Sequence, residues 1–173
     1  MVIQTRHLVW TVLILTVLAA LGVGLWLWLR PTDENLIRAR FGKLSELVSK
    51  NTREGAIPAV TRAKEAASLF TDKSSFAVDG LDWMAGPFSR EKLSANMFRS
   101  RSMFDRIGLS LDVLELDIDP EKSTAKIFLT AVLSGTLKDG RTIREVRELE
   151  CNMLKTDEGW LFDSFKVRQI IKK

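Results

Sequence analysis

The chain has 173 residues, 46% of them apolar, and carries a formal net charge of +4. This length favours a single globular domain, and so small a positive charge excludes the strongly basic surface on which nucleic-acid binding depends. The single cysteine, Cys151, excludes an intrachain disulfide and a multi-cysteine metal site. His7 is the only histidine and tyrosine is absent, so we predict no bound metal, no cofactor and no histidine-dependent catalysis.

The segment from Leu8 to Leu29 is an apolar run without a charged side chain. As a helix it would span roughly 33 Å, enough to cross a hydrocarbon core of about 30 Å. Trp10 at one end and Trp26 and Trp28 at the other suit the level of the lipid headgroups. A cleaved signal peptide is the alternative, but its apolar core is usually shorter. The segment is therefore predicted to be a retained transmembrane helix.

The predicted layout is a short tail at 1–7, the transmembrane helix at 8–29 and one soluble domain at 32–173. Basic residues after the helix favour a cytoplasmic domain, whereas the very short tail is typical of a signal anchor whose following domain is exported. We expect a single-pass protein of the inner (plasma) membrane, with its soluble domain on the outer (periplasmic or extracellular) side. Membrane lipid is then one partner, through residues 8–29.

Three helices are predicted in the first part of the soluble domain. Thr32 is a suitable N-cap for the first, which carries an apolar stripe and ends near Asn51. Pro58 suits the start of the second helix, and the third is predicted over 90–104. Between the second and third helices we predict a polar loop at 72–75, a candidate short strand at 76–78 and a turn at 86–89.

From residue 109 onward the pattern changes to extended runs separated by turn sequences. Asp139-Gly140 is a favourable tight-hairpin signal, and the short connections force neighbouring strands to be antiparallel. The predicted fold class is α+β: a single N-terminal transmembrane helix, then three helices packed on a curved antiparallel sheet of four or more strands. The four predicted strands cover 109–118, 123–137, 141–156 and 160–171.

The stretch from Glu145 to Val167 contains a charged alternating strand, an acidic turn, Gly159-Trp160 and a closing strand. Together with the order of three helices followed by a long curved sheet, it resembles the nuclear transport factor 2-like superfamily, whose fold is an α+β cone. The resemblance covers roughly residues 32–171. It implies a fold but no function, because this fold serves dehydratases, isomerases, transport factors and secretion components.

The resemblance also indicates which side chains catalysis would need. Enzymes with this fold usually place a carboxylate, and often histidine or tyrosine, inside the cone. This chain has no tyrosine and no histidine after His7, so no catalytic residue is predicted. Acidic side chains at 112–119 could hold a cation by carboxylates alone, but a solvated strand edge is the simpler interpretation.

Two sets of residues are candidates for binding, and each has a simpler alternative. One set could line a pocket, and ordinary core packing is its simpler alternative. The other set makes the third helix basic, so that it could dock an acidic partner or anionic lipid headgroups; a solvated face is its simpler alternative. The pocket candidates are Trp83, Met84, Met97, Cys151 and Met153. The basic candidates are Arg90, Lys92, Arg99, Arg101 and Arg106.

The leading hypothesis is a membrane-anchored, non-catalytic module for protein interaction or assembly within an envelope complex. Its partner is expected to be another protein or a second copy of the chain. One subtype resembles the membrane-anchored cone-fold component of type IV secretion systems, whose cytoplasmic tail is normally longer. The alternative is a small-molecule-binding protein or enzyme that uses the cone cavity with carboxylate-only chemistry, which predicts an acidic side chain of raised pKa in an enclosed pocket. A lipid-surface sensor is the third hypothesis.

Overall fold

The computed structural model describes residues 31–50, 54–77 and 86–170, and the described residues from Glu34 onward belong to one compact unit. In these described ranges no helix is both long and apolar enough to cross a membrane. The predicted transmembrane helix at 8–29, with Trp10, Trp26 and Trp28, lies outside the described residues and stays a prediction.

Three helices form one layer of the fold, as predicted: α1 at Asp33–Val48, α2 at Ala56–Ser68 and α3 at Arg90–Ser102. Each places small or apolar side chains on the face that meets the sheet, because residues three and four apart share one side of a helix. The Ser89 side chain caps α3 by accepting a hydrogen bond from the backbone N–H of Lys92 at 3.3 Å. The buried apolar side chains of the three helices are Ile37, Phe41, Leu44, Leu47, Ala63, Ala66, Ala67 and Leu93.

Six strands form the sheet described by the structure, in the order β2-β1-β6-β5-β4-β3. Strands β3 to β6 form the antiparallel meander expected from their short turns, whereas β1 runs parallel to β6. The prediction of a wholly antiparallel sheet is therefore wrong, and the sheet is mixed. The strands are β1 Phe70–Ala77, β2 Gly86–Phe88, β3 Phe104–Asp119, β4 Thr124–Leu137, β5 Thr142–Thr156 and β6 Gly159–Ile170.

Strand β1 replaces the polar loop predicted at 72–75, and β2 replaces most of the turn predicted at 86–89. The polar side chains of β1 are tolerated because alternate residues of a strand face opposite sides. Ser74 is buried, while its neighbours Lys73 and Ser75 are exposed. β1 joins the sheet by pairing with β2 over 74–76 and with β6 at Phe70 and over 75–77, with a register shift between the two β6 contacts. The local sequence alone does not indicate these partners.

The core lies between the helices and the inner face of the sheet, and an aromatic cluster stands at its centre. Phe41 of α1 meets Phe162 of β6 edge to face, with ring centroids 4.9 Å apart. Phe70 of β1 lies 5.2 Å from Phe162, again between ring centroids. Trp160 is also buried. Such pairs add about 0.5–1.5 kcal/mol each beyond the burial of their surface.

Candidate ligand cavity

A cavity of about 290 Å³ lies beside the core, between the inner face of the sheet and helices α1 and α3. Leu44, Phe70 and Val167 are its most buried side chains, and Ala77 lies exposed at its edge. The cavity is lined by Leu44, Val48, Phe70, Phe76, Ala77, Met97, Leu109, Leu111, Ala131, Leu149, Phe165 and Val167.

One wall of the cavity is aromatic because of the parallel pairing of β1 with β6. Phe76 and Phe165 are direct partners in that pairing, and their rings are stacked, 6.0 Å apart between centroids and 6° from parallel. Phe70 adds a third ring, 5.9 Å from Phe76 between centroids. The opposite wall is aliphatic and comes from β3, β4 and β5.

The described lining is made entirely of aliphatic, aromatic and thioether side chains, without an ionisable or nucleophilic group. A cavity of this composition does not hold ordered water well, because water needs two to four polar partners. It can bind an apolar molecule by excluding water from both surfaces and by dispersion contacts. The described walls offer no proton donor or acceptor for acid–base chemistry.

The pocket candidates predicted from the sequence do not all line the cavity. Met97 of α3 lines the cavity. Cys151 and Met153 lie on the inner face of β5 but are fully buried in the core, outside the lining. Burial raises the pKa of the Cys151 thiol well above its ordinary value, and the charge of Asp163 acts in the same direction. Trp83 and Met84 lie outside the described residues.

Arg101 does not belong to an exposed basic face, because it is buried with only 4% of its surface accessible. Its Nη1 donates to the backbone carbonyls of Leu47 and Val48, at the carboxyl end of α1. Its Nη2 donates to Glu54 Oε2 at 2.6 Å, and Glu54 also pairs with Arg62. Arg101 therefore caps α1, where a positive charge complements the helix dipole.

Three of the other basic candidates lie on α3, and the fourth lies on β3. Arg90 donates to the carbonyl of Phe70 and pairs with Asp72 and Glu158, so it links α3 to β1 and to the β5–β6 turn. Arg106 is exposed, but it lies on β3 and not on the third helix. Lys92 and Arg99 are the candidates that remain exposed on α3 itself.

The acidic side chains of the described residues do not gather into a metal-binding group. No group of three or more histidine, cysteine, aspartate or glutamate side chains is placed there to hold a metal ion. Hydrogen bonds lower the pKa values of the Glu91, Asp119 and Asp139 carboxyl groups, all of which lie outside the cavity. No described cavity residue is acidic, so the carboxylate of raised pKa that a carboxylate-only enzyme would need is not among them.

Sequence reasoning missed most of the cavity lining. The sequence places Phe76 in a candidate short strand but gives that strand no partner, and nothing in the last predicted strand distinguishes Phe165. Leu149 and Ala131 were recognisable only as members of an apolar strand face. An alternating pattern shows which residues face inward, but the register between strands decides which of them enclose a void.

Comparisons with known proteins identify the fold. No family model matches the chain, and no curated protein matches it. A solved structure from Kribbella flavida is similar at 16% identity and a TM-score of 0.64, covering 78% of this chain and 88% of that one. A nuclear transport factor 2-like protein with a cystatin-like fold from Novosphingobium aromaticivorans is similar at 17% identity and a TM-score of 0.57, covering 90% and 92%.

A third similar structure, from Novosphingobium aromaticivorans, is that of a candidate aromatic ring hydroxylase. It is 14% identical, with a TM-score of 0.60, and the match covers 79% of this chain and 87% of that one. Likeness at these identities shows the fold alone. The described part of the chain has the nuclear transport factor 2-like, cystatin-like α+β fold expected from the sequence, here with three helices on a six-stranded mixed sheet.

Proposed function

We propose that this chain binds a small apolar molecule in its cavity and that residues 8–29 tether the binding domain to a membrane. The observation that carries the first part is the cavity of about 290 Å³ with its wholly apolar described lining. Its volume is about twice that of an engineered apolar cavity of ~150 Å³ that binds benzene. A molecule with roughly ten carbon atoms therefore suits its size.

The physical reason for binding is the apolar surface that the open cavity leaves in contact with water. The lining side chains lack apolar contact partners on the side that faces the cavity. A ligand that fills the space restores those contacts and removes its own apolar surface from water. Because the described lining has no polar group, the cavity selects its ligand by size and apolar character.

The experiment uses methionine methyl groups as reporters in the full-length chain, labelled with carbon-13 and held in lipid nanodiscs. Met97 lines the cavity, whereas Met103 is exposed on the surface. Adding 1-octanol should shift the Met97 methyl resonance in a saturable way and leave that of Met103 nearly unchanged. Empty nanodiscs measure how much octanol the lipid takes up.

The control is a pair of alanine-to-phenylalanine variants. Ala131→Phe places a ring inside the cavity, takes up about half of its volume and should weaken the saturable shift at Met97. Ala95→Phe makes the same chemical change at an exposed position of α3 and should leave it intact. Equal responses in both variants and in the wild type would contradict binding in this cavity.

The tether rests on the uncharged run at residues 8–29 of the sequence. We expect the full-length chain to stay in the membrane fraction after extraction with alkaline carbonate, as an inserted helix does. A lysine at both Leu15 and Leu18 should release it, because each charge near the middle of a membrane helix costs about 2.5–3.5 kcal/mol. Release of the unmodified chain by carbonate would refute the tether.

A further inference from the structure

A positively charged side chain stands at the rim of the apolar cavity. Arg147 of β5 is the direct cross-strand partner of Ala131, which lines the cavity. Directly opposed residues have Cβ atoms about 4.5–5.5 Å apart on the same face of the sheet. Leu149, two residues further along β5, faces the same side and also lines the cavity. The register thus places Arg147 next to two lining residues.

The pairing of β4 with β5 shows which face of the sheet carries the Arg147 side chain. Strands β4 and β5 pair without a register shift from Thr124 with Leu154 to Thr136 with Thr142. The pairing of β5 with β6 shifts between Glu148 and Leu149, but β5 stays in register with β4 across this point. Arg147 therefore shares the inner face with Leu149 and the buried Cys151. Arg144 of the same strand faces the opposite side and is exposed.

The guanidinium of Arg147 has hydrogen-bonding capacity that the described structure does not use. Its Nε and Nη2 both donate to one oxygen of Glu145, Oε2, at 3.1 and 2.8 Å. The Nη1 edge makes no hydrogen bond to the described residues, although arginine offers five N–H donors in a planar fork. The Arg147 side chain is 29% exposed and that of Glu145 51% exposed, so solvent and a ligand can reach the pair.

We propose that the cavity ligand is amphipathic, with its apolar body in the cavity and a carboxylate held by Arg147 at the rim. This inference rests on the proposed function, because it names the chemical class of the molecule bound there. The fork of a guanidinium matches the two oxygens of a carboxylate, and such charge-assisted hydrogen bonds are among the strongest in proteins. The pair with Glu145 is partly exposed, so it contributes little to stability and can exchange for a ligand carboxylate.

The test compares octanoate with 1-octanol, which share a chain length and differ in charge. The full-length chain in nanodiscs is titrated with each, with the Met97 methyl resonance as the readout. Wild-type chain should bind octanoate more tightly than octanol. Arg147→Met should weaken octanoate binding roughly tenfold or more, since a hydrogen-bonded charge is lost, and leave octanol binding unchanged.

Arg144→Met is the matched control, because it removes the same charge from the same strand on the opposite face of the sheet. It should leave both affinities as in the wild type. If Arg147→Met and Arg144→Met lower octanoate binding equally, the effect is one of overall charge and the proposal is overturned. The proposal is also overturned if neither variant alters octanoate binding.

The outcome also distinguishes this inference from the proposed function. If octanol shifts Met97 but octanoate binds no better than octanol, the cavity binds apolar molecules and the carboxylate assignment is wrong. If neither compound shifts Met97, the proposed function itself fails. Arg147→Lys should recover part of the octanoate affinity, because it restores the charge without the planar fork.

Discussion

At the scale of single residues, the burial of Arg101 is the feature that the sequence reveals least. A basic residue in a helix with other basic residues is usually solvated, and the spacing of Arg99 and Arg101 gives no sign that one is exposed and the other buried. The difference arises because the Arg101 side chain reaches the last carbonyls of α1 and the carboxylate of Glu54. The contact joins residues far apart in the chain, so it could not be predicted locally.

The first prediction concerns this buried pair. Arg101→Met should lower the free energy of unfolding by about 3–5 kcal/mol, because it leaves the Glu54 carboxylate and the end of α1 without their donor. Arg99→Met, two residues earlier and exposed, should change it by no more than about 0.5 kcal/mol. Urea denaturation of both variants measures the difference. Similar stability of the two would show that the Arg101 contacts add nothing.

A second residue-scale prediction follows from the raised pKa of Cys151. The buried thiol stays protonated in the folded state at pH values where the unfolded chain ionises it. Its contribution to stability is thus complete below about pH 8.5 and is lost as the pH rises towards the pKa of the folded state. The free energy of unfolding should fall in this range by up to about 1.4 kcal/mol per pH unit, relative to Cys151→Ala.

Unfolding curves recorded between pH 7 and pH 10 test this dependence on both chains. Other groups titrate in the same range, which is why the difference between wild type and Cys151→Ala is the relevant quantity. The two stability profiles should diverge as the pH rises. Parallel profiles would mean that the thiol ionises equally readily in the folded and unfolded states.

At the scale of elements, the antiparallel meander was predictable and the parallel edge was not. Strands β3 to β6 lie within a few residues of their predicted limits, apart from the start of β3, because Asp139-Gly140 and the other turns mark their ends. The left-handed φ of +88° at Gly140 shows why glycine suits that turn. Only the end of strand β1 was predicted, by the candidate strand at 76–78, because most of β1 is polar and its partners, β2 and β6, lie further along the chain.

Two glycines should respond oppositely to the same substitution. A Cβ at Gly135 of β4 would lie 2.7 Å from the carbonyl oxygen of Arg106 and 2.9 Å from the Phe104 ring. Gly135→Ala should therefore destabilise the pairing of β4 with β3 by about 1–3 kcal/mol. A Cβ at Gly42 of α1 meets nothing within 4 Å, so Gly42→Ala should stabilise the helix by about 0.5–1 kcal/mol.

Thermal and urea unfolding of the two variants measure both effects. The opposite signs matter more than the sizes, since each variant serves as the control for the other. A stable Gly135→Ala chain would mean that β3 and β4 can separate slightly at this point. Hydrogen exchange at the amides of β3 near Phe104 would then show faster exchange in the variant.

At the scale of the whole molecule, the cavity was anticipated only as a property of the fold. Composition excluded histidine and tyrosine chemistry, and the resemblance implied a cone. Whether side chains fill the cone depends on their volumes in three dimensions. Here Ala131 stands where a larger side chain would occupy the space, and Arg147 was recognisable only as a charged residue in a strand that alternates charged and apolar positions.

The final prediction connects the cavity to the stability of the domain. A phenyl ring fits a volume that exceeds the ~150 Å³ sufficient for benzene, so Ala131→Phe should fill the space without severe strain. We expect it to raise the free energy of unfolding by about 1 kcal/mol, within the range of cavity-filling substitutions.

Wild-type chain gains stability from ligand instead, by about 2.7 kcal/mol when the ligand concentration is a hundred times its dissociation constant. Urea midpoints measured with and without octanol should therefore rise more with ligand in the wild type than in the variant, whose ring already occupies part of the site. A loss of stability in ligand-free Ala131→Phe would show that the cavity closes around too little space to hold a molecule.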